Sequence, residues 1–91
     1  MDEIPGDIVR RIHAEFPKEE ESAIDLLRSY QGSESSRVWR CILHLSRGSI
    51  DLFLAQLKTA QEDYRDVIYF AEYDQHDRRI HDFSRGFRDY E

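Results

Sequence analysis

The longest ordered pattern of apolar and polar positions runs from Ser49 to Tyr73, where Ile50, Phe53, Leu57, Ala60, Tyr64, Val67 and Ala71 alternate at intervals of three and four. That spacing holds one stripe on the face of a helix of about 3.6 residues per turn, and it predicts a helix over 49–73 that is about 35 Å long. The rest of the chain is expected to be organised around it. The second half is apolar on more than one side, because Val67, Ile68, Tyr69, Phe70, Ala71 and Tyr73 lie almost in succession. A helix apolar on most sides must be buried on most sides. Its cover is expected from the first helices and the tail, or from a second subunit, and the shortness of the other helices favours a homodimer over a monomer.

Three shorter helical patterns come first. Ile8, Ile12 and Phe16 share a face behind Asp7, a suitable N-cap or first-turn acid, and Pro17 restricts the residue before it, so a helix is expected over 7–15. Pro17 suits the opening of the next helix, with Glu19, Glu20 and Glu21 facing the positive helix end and Ala23, Leu26, Leu27 and Tyr30 forming its apolar face. Gly32 is the natural stop, giving 18–30. After the QGSESS linker, Ser35 or Ser36 is expected to cap a helix over 36–47 bearing Val38, Trp39, Ile42, Leu43 and Leu45. Gly48 then supplies a left-handed C-terminal residue and Ser49 caps the long helix, a tight corner across which Leu45 and Ile50 are placed to pack.

Residues 74–91 differ in character. They mix both charges with Ile80, Phe83, Phe87 and Tyr90, while Ser84 and Gly86 disfavour a helix by about 1 kcal/mol or more. An irregular tail is expected, its aromatics docked on the bundle or on another subunit. The fold class that follows is all-α: a four-helix bundle-like single domain over 1–91, with a lead-in at 1–6 and the tail at 74–91.

Charge narrows the functions. The net charge of −6 is uneven, with residues 35–49 carrying Arg37, Arg40 and Arg47 and no acid, and the segments on either side acidic. An acidic surface repels phosphate backbones, so nucleic acid is not an expected partner. The corner around Gly48 has a helix-turn-helix outline, but the helix after it opens with SIDLFLAQ, which lacks the basic and amide side chains of a DNA reader. Cys41, the one cysteine, permits no internal disulfide and reads as a small buried hydrophobe. The opening MDEIPGDIVRR has no basic leader before an apolar run, and no run reaches the length of a membrane span, so a cytosolic protein is expected.

Candidate chemistry is sparse. Asp74, His76, Asp77, His81 and Asp82 include metal-ligand types, but His76 and His81 do not share a helix face at a spacing of five and Arg78 and Arg79 intervene. Metal is therefore not expected, with His76, Asp77 and His81 the residues to examine. Glu62, Asp63, Asp66, Glu72 and Asp74 supply carboxylates for acid–base work, although ion pairs such as Glu62 with Arg65 are the commoner use. No cofactor is implied.

The stretch SRVWRCILHLSRGSIDLFLAQLKTAQEDYRDVIYFAEYD resembles the core of a family of small bacterial proteins of unknown function, through an RV-x-R-x-IL helix, a glycine corner and a long helix bearing DYRDV and then AEY. The resemblance implies a small bacterial helical domain, carries no activity, and marks Asp63, Tyr64, Arg65, Asp66, Glu72 and Tyr73 as patterned positions. Arg65 with a neighbouring carboxylate is expected to form a buried pair that fixes packing. The reading that follows is a non-catalytic protein-interaction or regulatory module, with Tyr64, Arg65, Asp66, Tyr69, Phe70, Glu72 and Tyr73 as its face. The alternatives are a small enzyme or metal-binding protein using the His76/His81 cluster, and a neutraliser of a basic partner.

Overall fold

Four α-helices make up the regular structure among the described residues, 4–30 and 32–84, of the computed structural model: α1 (Gly6–Glu15), α2 (Glu20–Arg28), α3 (Ser35–Ser46) and α4 (Ile50–Glu72). The all-α class and the long last helix stand as expected. Burial, however, puts a different helix at the centre. Seven of the twelve residues of α3 are buried (Val38 to Leu43 and Ser46), against seven of the twenty-three in α4. A helix enclosed on so much of its surface cannot keep its polar side chains in water, which is the origin of the ion pairs described below.

One apolar cluster joins the helices. Ile8, Ile12 and Phe16 of the α1 region, Ala23 and Leu27 of α2, and Phe53, Leu57, Val67 and Ala71 of α4 share one core with the buried residues of α3, with Phe16 and Phe53 meeting edge to face at 5.6 Å between centroids. Trp39 adds a directional tie. Its indole N–H donates to the carbonyl of Leu27 at 2.6 Å, adding a second donor to an acceptor in the last turn of α2 that also takes the Tyr30 N–H at 3.0 Å.

The helix ends depart from expectation where local chemistry offered a choice. Pro17 lies in a turn closed by Glu19 N–H on the Phe16 carbonyl (3.1 Å), so α2 begins at Glu20 rather than near 18. It ends at Arg28, where Ser29 N–H bonds back to Asp25 and Leu26, and Gly32 is not its stop. Gly32 instead makes room for Tyr30: a Cβ there would lie 2.6 Å from the phenol oxygen, which donates to Ser33 O at 2.9 Å. Neither Ser35 nor Ser36 caps α3; Glu34, in a left-handed conformation (φ 52°), precedes it. At the next corner Arg47 (φ 50°) and Gly48 (φ 76°) are left-handed in succession, and Ser49 Oγ accepts from Leu52 N–H at 3.3 Å, as the corner pattern predicts. Leu45 and Ile50 both pack against the core.

The long helix is broken. Asp63 has extended backbone angles (φ −157°, ψ 99°) inside α4, and its carboxylate accepts from Arg65 N–H at 3.1 Å. An aspartate that turns to the backbone two residues on offers the chain an alternative to the helical bond, here an internal cap that starts a new helix. The apolar stripe passes through this break without losing phase, since Ala60 and Val67 are buried and Tyr64 packs on the core, which is why periodicity predicts one continuous rod.

Replacing Gly32 by alanine should push the Tyr30 ring from its buried seat and destabilise the fold by about 1–3 kcal/mol, the usual cost of overpacking. Urea denaturation checks this, and an unchanged midpoint would show that the ring moves aside freely.

Candidate functional site

Two features stand out at the end of α4, a buried ion-pair network and an exposed aromatic face. The network begins with Glu72, the last residue of α4, whose side chain is 0% exposed. A carboxylate taken out of water needs donors for its oxygens. Arg37 of α3 grips it from both sides, Nε to Oε2 at 2.9 Å and Nη2 to Oε1 at 2.6 Å. Arg79 Nη2 adds a bond to Oε1 at 2.9 Å and the Phe83 N–H one to Oε2 at 3.1 Å. Burial alone would raise the Glu72 pKa; the Arg37 and Phe83 hydrogen bonds and the guanidinium charge outweigh it and hold the carboxyl below its ordinary value. The same contact raises the pKa of Arg37.

Two of these donors come from the tail, which folds back as a strap over 74–84. Asp74 makes the turn: its Oδ1 accepts from His76 N–H (2.8 Å) and Arg78 N–H (3.0 Å), and Asp77 passes through a left-handed conformation (φ 62°). The returning chain meets Tyr73 in an antiparallel bridge at Arg79, and the N–H groups of Ile80 and His81 donate to the Glu72 carbonyl at 2.7 and 3.2 Å. Phe83 is buried. Its carbonyl accepts from Arg40 Nη1 at 2.9 Å, and its ring lies 5.1 Å from that of His44 and 5.2 Å from that of His81. Arg40 at the same time holds Asp7 of α1 through two bonds of 2.8 and 3.1 Å. His44 is pushed to a lower pKa by burial first, then by His81, Arg11 and Arg47.

The basic stretch of the sequence is therefore not a basic surface. Arg37 and Arg40 are turned onto Glu72 and Asp7, and of the three arginines in 35–49 only Arg47 is exposed.

The aromatic face lies on the other side of the same turn of α4. Tyr69 is 45% exposed and Phe70 60%, Tyr69 stacks on the half-buried Tyr73 at 5.6 Å with 18° between planes, and Phe70 meets Tyr69 edge-on at 5.9 Å. The Tyr69 hydroxyl donates to Asp77 in the strap turn, which raises the phenol pKa. Ile80 of the strap is also exposed, at 52%.

The remaining sequence candidates divide. Tyr64 packs against the core beside a surface cavity of about 470 Å³ shared with Tyr30, Gln61 and Asp63. Arg65 and Asp66 are exposed, and Arg65 bonds Asp63 rather than Glu62. The expected buried pair does not form there; among the described residues the inward-facing pairs are Arg37 with Glu72 and Arg40 with Asp7. Breaking the helix at Asp63 gives Arg65 a local partner and leaves it in solvent. His76 is exposed in the strap turn while His81 packs against His44, at 4.8 Å between rings, so the proposed metal ligands are not assembled. Among the described residues no three His, Cys, Asp or Glu side chains form a metal-holding group. Phe83 docks on the bundle as one expectation for the tail's aromatics had it, and Gly86, Phe87 and Tyr90 lie outside the described residues.

Sequence reasoning missed Asp7, Arg37, Arg40, Arg79 and Phe83 as one assembly. The signal was Glu72 itself, a charge placed among Val67, Ile68 and Ala71 on the buried side of a helix. Such a position calls for a buried cation, and α3 carried two. No protein-family model, curated protein or solved structure matches the chain.

Truncating Glu72 to alanine leaves the part-buried Arg37 with Glu34 as its remaining carboxylate and the buried Phe83 N–H without its acceptor, and should cost about 3 kcal/mol, whereas Arg65→Ala should change stability by less than about 0.5 kcal/mol. Chemical denaturation of the two variants separates them. Acid should act in two stages. Both His44 and Glu72 have native pKa values below their unfolded ones, so each contributes stability that is complete above its unfolded value and lost as pH falls through the native one. The first loss starts below pH 6.5 and should vanish in His44→Gln; the second starts below pH 4.5 and should shrink in Glu72→Gln to the share of Asp63 and Asp82, whose carboxyls are also held below their ordinary values, as followed by denaturation midpoints across pH.

Proposed function

We propose that the protein is a non-catalytic interaction module of the bacterial cytosol whose working surface is the aromatic face Tyr69, Phe70 and Tyr73. The observation that carries this reading is the exposure of Phe70, a large apolar side chain 60% open to water on an ordered helix, held beside two stacked tyrosines. Tyrosine and phenylalanine are enriched where proteins meet, because a rigid aromatic contributes a large contact area at little entropic cost. The face is also prearranged. Glu72 anchors the end of α4 and the Tyr69–Asp77 bond fixes the outer ring, so binding has little side-chain freedom left to remove. Nothing in this reading calls for a cofactor.

The test is a photo-crosslinkable phenylalanine at position 70 of the full chain, expressed in cells, with the same probe at Leu54 on the first half of α4 as control. A discrete protein adduct is expected from position 70 and none from position 54. Phe70→Glu should then weaken the isolated complex by roughly 30-fold or more, about 2 kcal/mol for a central aromatic anchor, without altering helicity. Adducts of equal yield at both positions, substrate turnover, or one equivalent of metal retained by the purified protein would each overturn the proposal.

A further inference from the structure

The strap over 74–84 is attached in an unusual way. One large side chain, Phe83, is buried in the body, residues 75–80 are exposed, and the other ties are polar and directional: the Glu72 carboxylate to Arg79 and Phe83 N–H, the Glu72 carbonyl to Ile80 and His81, and Arg40 to the Phe83 carbonyl. The body thus presents a seat that reads an aromatic residue by its ring and by both of its backbone polar groups. The sequence that fits it is the chain's own.

We propose that the strap exchanges between two copies of this chain, each Phe83 occupying the seat of the other, and that the second copy is the partner of the aromatic face; this rests on the interaction reading above and names its partner. Three observations converge on it. The seat and the strap belong to one sequence, so the ties of residues 79–84 to the body are remade across an exchanged pair and only the bonds of the 74–78 turn are released, the usual low-cost route to a dimer. The turn that would open is short, 74–78, and holds Asp77 in a left-handed conformation that an extended hinge releases. Five residues span at most about 17 Å when extended, enough to cross to an adjoining copy. The third observation is the position of the exposed apolar residues. Tyr69, Tyr73 and Ile80 adjoin this turn through the Tyr69–Asp77 bond and the Tyr73–Arg79 bridge, and Phe70 packs on Tyr69. A two-fold exchange brings the two hinges side by side and so lays these faces against each other. The closed monomer keeps its advantage of effective concentration; the pair gains the contact between faces.

The experiment is disulfide trapping between differently marked chains. The His44 and His81 rings lie 4.8 Å apart between seat and strap. A full chain carrying His44→Cys is co-refolded with one carrying His81→Cys and then oxidised. Cys41 remains in both, since it is buried and its thiol is pushed far from ionisation. Exchange predicts a mixed disulfide dimer roughly ten-fold more abundant than in either chain alone, because the linkage is then intramolecular within the pair. Wild-type protein should sediment at twice the 10.9 kDa chain mass. A second variant guards against failure of the cysteine chains to refold. Deleting Gln75 to Asp77 leaves the strap too short to fold back, and this variant should be dimeric with wild-type helicity. A monomeric deletion variant overturns the exchange. A wild-type dimer with no mixed disulfide also overturns it while leaving the aromatic face as the contact. A wild-type monomer at every concentration with no mixed disulfide removes the second copy as partner, and crosslinking at position 70 then decides the interaction reading by itself.

Discussion

A carboxylate with no access to water must find its hydrogen-bond donors within the protein, and Glu72 finds four: two from Arg37, one from Arg79 and one from the backbone of Phe83. The rest of the architecture at this end of the molecule depends on that requirement. Arg37 brings α3, Arg79 and Phe83 bring the strap, and Arg40 extends the tie from Phe83 to Asp7 in α1. The desolvation of such a group is costly, and its pairing need not stabilise the fold relative to an apolar alternative. What it does impose is geometry. Four donors in fixed directions admit one placement of the strap against α3 and α4.

The network also explains the surface. Arginines that would otherwise make α3 a basic face are turned inward onto Glu72 and Asp7, so the positive stretch of the sequence contributes little positive field outside. The helix that carries them is short but enclosed, and for that reason it is the centre on which the longer α4 packs.

α4 itself has two parts joined at Asp63. The first part is capped by Ser49 and closes the core with Phe53, Leu57 and Ala60. The second starts from a new cap at Asp63, buries Val67, Ile68, Ala71 and Glu72 on one side, and turns Tyr69 and Phe70 outward on the other. Because Glu72 ties down the inner side, the outer side has a fixed base, and an exposed aromatic surface beside the 74–78 turn is the arrangement on which the proposed contact and strap exchange rest.

Much of this was legible in the residue pattern. The four helices, the Gly48–Ser49 corner, the absence of any helix long and apolar enough to cross a membrane among the described residues, and the apolar surplus around Tyr69 and Phe70 all follow from local periodicity and capping chemistry, which act over one or two turns. Glu72 was marked as a position of interest, but its partners were not, because Arg37 is thirty-five residues away and nothing local distinguishes a solvated arginine from one that will be buried. The break at Asp63 was hidden for a related reason: an apolar stripe that stays in phase carries no record of the backbone between its members. Tertiary structure alone decided which helix is the centre, which of the arginines face inward, and where the strap lies. Those outcomes turn on desolvation, and a side chain is desolvated only by the segments that fold against it.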